Sequence, residues 1–225
     1  METKQQRQLS RVRCRSRNAP HHTTPHHINH GHPKYNYHPL TPMPNYRRPH
    51  IAGGTYFITQ VTYQRQPWLC SNIGRTALRA ALVHVRQNYP FSIDAFVLLP
   101  DHFHTLWTLP EGDSNFSMRM LLIKRFVTKY YGHQLGLNVA ISRSREKRKE
   151  RNLWQRRFWE HLIRDDVDFA NHCDYIHYNP VRHKLCESPQ QWTFSSIHRF
   201  IQQEIYPLDW GGGGGVELPS DIWDV

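Results

Sequence analysis

Residues 92–109, SIDAFVLLPDHFHTLWTL, constrain the fold of this chain more than any other stretch. Two apolar runs rich in β-branched and aromatic residues, 92–99 and 102–109, flank the short turn Leu99–Pro100–Asp101. Such runs read as strands, and Pro–Asp supplies turn chemistry. A connection this short makes the two strands antiparallel neighbours, because a parallel pair needs a long crossover. The chain must therefore contain an antiparallel sheet.

The neighbouring segments extend that sheet. TYFITQVTY (55–63) is aromatic and β-branched and predicts a strand. From Ile73, the residues Ala77, Leu78, Ala81, Leu82, Val85 and Tyr89 recur at helical spacing, and Pro90 stops the helix. After the turn 111–114, with Ser114 as N-cap, Phe116, Met120, Ile123, Val127 and Tyr130 predict a second amphipathic helix. The segment 143–152 has no apolar stripe and reads as a loop. FWEHLIR (158–164) predicts a returning strand. Asp165 or Asp166 caps a third helix whose buried stripe is Phe169, Cys173 and Ile176. Pro180 is expected to end it, because the residue before a proline is pushed out of the α region. The order strand, helix, strand, strand, helix, strand, helix predicts an α+β fold. It is an antiparallel sheet with packed helices in a ferredoxin-like arrangement.

Charge narrows the function. The 225 residues carry a formal net charge of +11, with a mean hydropathy of -0.72. No apolar run is long enough to span a membrane, and the N-terminus has no apolar signal core. The four cysteines are far apart with no CxxC, which excludes a disulfide scaffold or a cysteine zinc site. A soluble, cytoplasmic, basic protein with a polyanionic partner is expected, nucleic acid first.

Position sharpens this. Residues 1–50 hold nine Lys or Arg against one acid, together with eight His and seven Pro. Residues 1–42 therefore read as a disordered basic tail. Either they are an accessory arm, or Met43 is the true start. Their clustered His could bind a transition metal, although a solvated tail is the plainer reading. Residues 43–210 form the expected folded domain. Residues 211–225 open with five glycines and read as a flexible tail. Within the domain, 143–157 (RSREKRKERNLWQRR) carries eight basic and two acidic residues.

Two constellations could carry chemistry. His102 and His104 are two apart on a predicted strand, so they share a face while Phe103 points to the other. Two imidazoles on one face can chelate a metal ion; two satisfied surface histidines are the alternative. Tyr175 and Asn179 are four apart on the third helix and also share a face. Tyr175 falls off the apolar stripe, at a place where a phenol can face a cleft. His172 and Asp168 lie on that side too, where a solvent-facing role is the simpler reading. If helix and strand pack together, a metal on His102, His104 and the Asn179 oxygen would lie beside the Tyr175 hydroxyl. That set suits phosphoryl transfer: the metal polarises a phosphate oxygen and the phenol attacks as nucleophile.

These motifs resemble a known family. VLLPDHFHTLWTLP (97–110) is similar to the HUH motif of single-tyrosine transposases, two His flanking a hydrophobic residue. DYIHYNPVRHKL (174–185) resembles their tyrosine helix, and WQRRFWEHLIRD (154–165) and QWTFSS (191–196) resemble flanking motifs. The subgroup it resembles most is the REP-associated tyrosine transposases, over about 43–210.

The resemblance implies several assignments. His102, His104 and Asn179 would be the metal ligands, for Mg²⁺ or Mn²⁺. Ligand softness alone would favour Zn²⁺ or another transition metal. Tyr175 would form a 5′-phosphotyrosyl link to single-stranded DNA and leave a 3′-OH. The partner would be hairpins of repetitive extragenic palindromes, bound by a monomer or a homodimer near the nucleoid. Single-stranded DNA binding wants cations interleaved with aromatics. Arg145, Lys147, Arg148, Lys149, Arg151, Trp154, Arg156 and Arg157 are the candidates, with Lys124, Arg125 and Lys129 behind them. The function implied is a site-specific single-stranded DNA endonuclease and strand transferase. The rivals are a non-catalytic regulator that binds repeat hairpins, and a hydrolytic metal nuclease or RNA-binding protein.

Overall fold

Period-two alternation decides which side of the sheet each residue meets. In the computed structural model, which describes residues 49–135, 143–147, 151–213 and 215–218, four strands alternate with helices. They are β1 (Thr55–Val61), β2 (Ser92–Leu98), β3 (His102–Thr108) and β4 (Trp159–Leu162). The helices are α1 (Asn72–Asn88), α2 (Phe116–Tyr131), α3 (Arg143–Lys147), α4 (Asp166–Arg182) and α5 (Ile197–Gln202). The sheet order is β2-β3-β1-β4 and every pairing is antiparallel. This is the ferredoxin-like α+β arrangement that the hairpin demanded. No helix among the described residues is long and apolar enough to cross a membrane.

Each face of the sheet carries its own core. Tyr56, Ile58, Phe103 and Trp107 point toward α1 and α2, whose buried stripes include Ala77, Leu78, Ala81, Phe116, Met120 and Ile123. Phe57, Val97 and Leu106 point the other way, toward Phe169, Cys173, Tyr175 and Ile176 of α4. Phe103 thus enters one core while His102 and His104 face the other side, as strand alternation requires.

The helix ends follow capping chemistry, with three corrections. Ser71 caps α1 and Asp165 caps α4 through side-chain oxygens. The cap of α2 is Asn115, whose side chain accepts from the Met118 N–H, and not Ser114. The basic segment 143–152 is not all loop: Arg143–Lys147 forms one short helix. Pro180 does not end α4, which runs on to Arg182. Proline removes one N–H there, but only the last turn is affected, and its outer carbonyls are taken by the N–H groups of His183 and Leu185. The 1–42 tail lies outside the described residues. Gly211 packs on Pro189, and Leu218 rests against the α4-side core.

Candidate active site

The β1–β3 register builds the site. It sets Thr59 opposite His104 and Val61 opposite His102. Thr59 Oγ1 lies 2.7 Å from His104 Nδ1, and Asp101 Oδ1 lies 2.7 Å from His102 Nδ1. Each imidazole is thus held through Nδ1, and Nε2 is the nitrogen left to act. The two rings stand 4.9 Å apart at 83°. Both histidines are buried, and His104 Nε2 has no hydrogen-bond partner.

Helix α4 closes the other side. Tyr175 is fully buried, with its ring 5.2 Å from that of His104 and 5.7 Å from that of Phe57. His183, the C-cap, has its ring 5.1 Å from that of His102. Asn179 lies midway between them on the helix, one turn from each and on the same face. It is fully buried, and neither its Oδ1 nor its Nδ2 has a partner. A buried amide with both ends unsatisfied is costly and calls for a ligand.

Tyr175 therefore does not sit off the core. The helical wheel counted only one stripe, but α4 is packed between the sheet and the segment 192–210. Residues on most of its circumference are buried.

Electrostatics keep His104 fit to ligate. Burial pushes His104 well below the ordinary histidine pKa, helped by the nearby Arg182 and Arg65. It therefore stays neutral, as a metal ligand must be. Burial raises the Asp101 carboxyl, but the hydrogen bond and charge of His102 and the Arg65 ion pair outweigh it and hold it at about 2. The donor set of two imidazole nitrogens and an amide oxygen fits a divalent ion that keeps open positions for oxygen ligands.

Asp168 and His172 do not face solvent. Asp168 Oδ2 accepts from His161 Nε2 at 2.8 Å, the Arg164 N–H at 2.9 Å and Arg164 Nε at 3.2 Å. His172 Nδ1 lies 3.1 Å from the other carboxylate oxygen. The donor atoms of His161, Asp168 and His172 lie within 4.8 Å of one another, as in a metal cluster. The carboxylate is already shared among several N–H donors, including a guanidinium, so the cluster works as a pin between β4 and α4. Its partner on β4 was not visible in the helical pattern.

The candidate DNA-contacting residues separate. Arg145 is turned inward: its guanidinium stacks 4.1 Å over Tyr63 and donates to the Arg151 and Trp154 carbonyls. Trp154 is buried in the core against Trp68, 4.8 Å between rings, and is not a surface stacking platform. Lys147, Arg151, Arg156 and Arg157 are exposed. Arg148 and Lys149 lie outside the described residues. A groove of about 990 Å³ runs between α1, α2 and this segment, and Arg125, Lys129, Arg151 and Arg156 line it beside Phe126 and Tyr130.

No family model matches the chain. Individual relatives do. A Haemophilus influenzae protein, provisionally named a REP-associated tyrosine transposase, is 43% identical over 181 residues, which is 80% of this chain and all of that one. The REP-associated tyrosine transposase of Escherichia coli K12 is 41% identical over 76% of this chain and 92% of its own length. This chain belongs to the REP-associated tyrosine transposases. A solved structure of such a transposase bound to a REP hairpin is 39% identical, with a TM-score of 0.63. It is matched over 79% of this chain and all of its own. For a REP-associated tyrosine transposase, the enzyme reading is favoured over the non-catalytic regulator.

Several residues around the site were missed in the sequence: Thr59, Asp101, Phe57, Arg65 and Arg182. Asp101 adjoins His102 and could have been noticed. Thr59 and Phe57 needed the strand register.

Proposed function

We propose that this chain cuts and rejoins single-stranded DNA at hairpins of repetitive extragenic palindromes, with Tyr175 as nucleophile. Supporting this most is one observation: the unpartnered Asn179 amide and His104 Nε2 are buried around Tyr175. A pure binding protein has no need to bury polar atoms unsatisfied beside a phenol.

The step is a transesterification. The Tyr175 oxygen attacks the scissile phosphorus and forms the phenolic O–P bond. The P–O3′ bond breaks, and the departing oxygen takes a proton from water to become a 3′-OH. The phenol proton passes to solvent. His102, His104 and Asn179 would hold the divalent metal, Mg²⁺ or Mn²⁺. When bound, it supplies charge to a non-bridging phosphate oxygen. Thr59 and Asp101 hold the two imidazoles with Nε2 forward. Phe57 and Leu106 pack on the apolar side of the site. Resolution reverses the first step: a 3′-OH attacks the phosphotyrosine and releases the phenol.

The basic groove is the proposed seat of the hairpin backbone, with Arg125, Lys129, Arg151 and Arg156 as phosphate contacts. The relative whose structure carries a REP hairpin supports this substrate class for the present chain. Lys147 and Arg157 extend the same surface.

The test is Tyr175→Phe on the full chain, with Mn²⁺ and single-stranded oligonucleotides carrying the palindromic repeats nearest its gene. Wild type should give a protein–DNA adduct on a denaturing gel. The variant should bind the hairpin equally well and give none. Adduct formation by the variant would remove Tyr175 from the nucleophile role. Hairpin binding by wild type without cleavage in either metal would favour the regulator.

A further inference from the structure

One face of α4 carries a polar line that the two-histidine site does not use up. His172, Tyr175, Asn179 and Arg182 follow at spacings of three, four and three. At about 100° per residue they fall within roughly 80° of arc. His172 is tied to Asp168. Tyr175 packs its ring against His104, and Asn179 shares that helix face. Arg182 is the member with no task so far.

Its placement is specific. The Arg182 guanidinium carbon lies 5.2 Å from the centre of the Tyr175 ring. Tyr175 is fully buried, whereas Arg182 is exposed. An exposed guanidinium therefore lies over the ring of a buried tyrosine.

The helix itself makes a cation necessary there. α4 ends at Arg182, and the carbonyls of a last helical turn carry a partial negative charge. A phosphate approaching Asn179 meets that end. A guanidinium in the same turn reverses the sign. Arg182 is also among the cations whose field reaches His104.

We propose that Arg182 is a catalytic residue of the cleavage reaction, whose guanidinium binds a non-bridging oxygen of the scissile phosphate beside Tyr175. The proposal rests on the Tyr175 reading above. As the phenolic oxygen bonds to phosphorus and the P–O3′ bond breaks, the non-bridging oxygens gain charge. A fixed fork of N–H donors stabilises that charge more than it stabilises the ground state. Arg182 transfers no proton.

The test compares wild type, Arg182→Ala and Arg182→Lys as full chains, with Mn²⁺ and saturating repeat-hairpin oligonucleotide. Adduct formation and hairpin affinity are measured separately. Loss of one such donor from a transition state costs on the order of 100-fold in rate. Arg182→Ala should therefore form adduct about 100-fold more slowly, keep hairpin affinity within about threefold, and recover rate when guanidinium ion is added. Arg182→Lys keeps the charge but not the fork and should fall between the two. A rate within about threefold of wild type, or a loss that guanidinium leaves unchanged, would overturn the role. If wild type itself forms no adduct, the Tyr175 reading has failed. If wild type forms adduct and Arg182→Ala matches it, only the Arg182 proposal has failed.

Discussion

The two histidines are left with Nε2 to act because of what holds their other nitrogen. Asp101 and Thr59 each sit 2.7 Å from an Nδ1, one a carboxylate and one a hydroxyl. A partner on the second nitrogen fixes the tautomer and the ring plane, and its loss typically weakens metal affinity about 10- to 100-fold. Asp101→Asn and Thr59→Val should therefore each weaken Mn²⁺ binding by roughly that factor, read by calorimetry on DNA-free protein. Thr59→Val keeps the side-chain shape while leaving His104 Nδ1 unpaired in a buried place, so it should also lower stability by about 1–3 kcal/mol. Asp101→Asn keeps size but breaks the Arg65 ion pair, which is half exposed and adds little by itself. Unchanged Mn²⁺ affinity in both variants would show that the ring orientation is set by packing alone.

Helix α4 carries the site, and a hydrogen-bonded chain behind it sets its rotation. The Phe96 N–H donates to Ser196 Oγ, which lies 2.8 Å from His177 Nε2. His177 Nδ1 meets the Tyr206 hydroxyl at 3.2 Å, and that hydroxyl donates to Asp174 at 2.6 Å. Burial, with Arg199 and His198 nearby, pushes His177 down to about 3. An unfolded histidine takes up its proton near pH 6.5, so as pH falls the unfolded state binds the proton first. Stability is whole above about pH 6.5 and is lost progressively down toward about 3. At pH 5 the loss amounts to about 2 kcal/mol from this group. His172, also buried and depressed, adds to it in the same direction. Urea unfolding at pH 7.5 and pH 5 should show that drop, and His177→Gln should reduce it. An equal drop in His177→Gln would assign the pH dependence elsewhere.

The same helix shows what a sequence can and cannot tell. Its cap, its register and the shared face of Tyr175 and Asn179 all follow from spacing and local chemistry. The hairpin at 92–109 and the pairing of His102 with His104 on one face do too. The burial of Tyr175 does not, because a wheel drawn from Phe169, Cys173 and Ile176 assumes one covered side. Here the sheet covers one side and residues 192–210 cover another. The continuation through Pro180 is equally non-local, since packing outweighs the loss of one hydrogen bond in a final turn. Trp154 and Arg145 looked like a DNA surface because both lie in a basic run. Their burial depends on Trp68 and Tyr63, which are remote in sequence.

On the proposed reading, the molecule as a whole separates chemistry from grip. Tyr175 lies on the α4 side of the sheet, and the basic groove lies between α1, α2, Arg145 and residues 151–156. They are joined at one corner. Gln155 N–H donates to the carbonyl of Val61, which is the residue paired with His102. On the proposed reading, DNA in the groove would be tied by chain connectivity to the strand ends that carry the histidines, while its charges would act remotely from the phenol. Arg125 and Lys129 are exposed on α2 and line that groove. Each phosphate contact contributes about 0.9 to the slope of log affinity against log salt for duplex. Arg125→Gln with Lys129→Gln should thus weaken hairpin binding, lower that slope by about 1–2, and leave the rate of adduct formation at saturating hairpin near wild type. Binding titrations at several salt concentrations, paired with single-turnover cleavage, measure both quantities. A rate that falls with unchanged affinity would mean that the groove acts on the bond being cut, and that grip and chemistry are not separate in this fold.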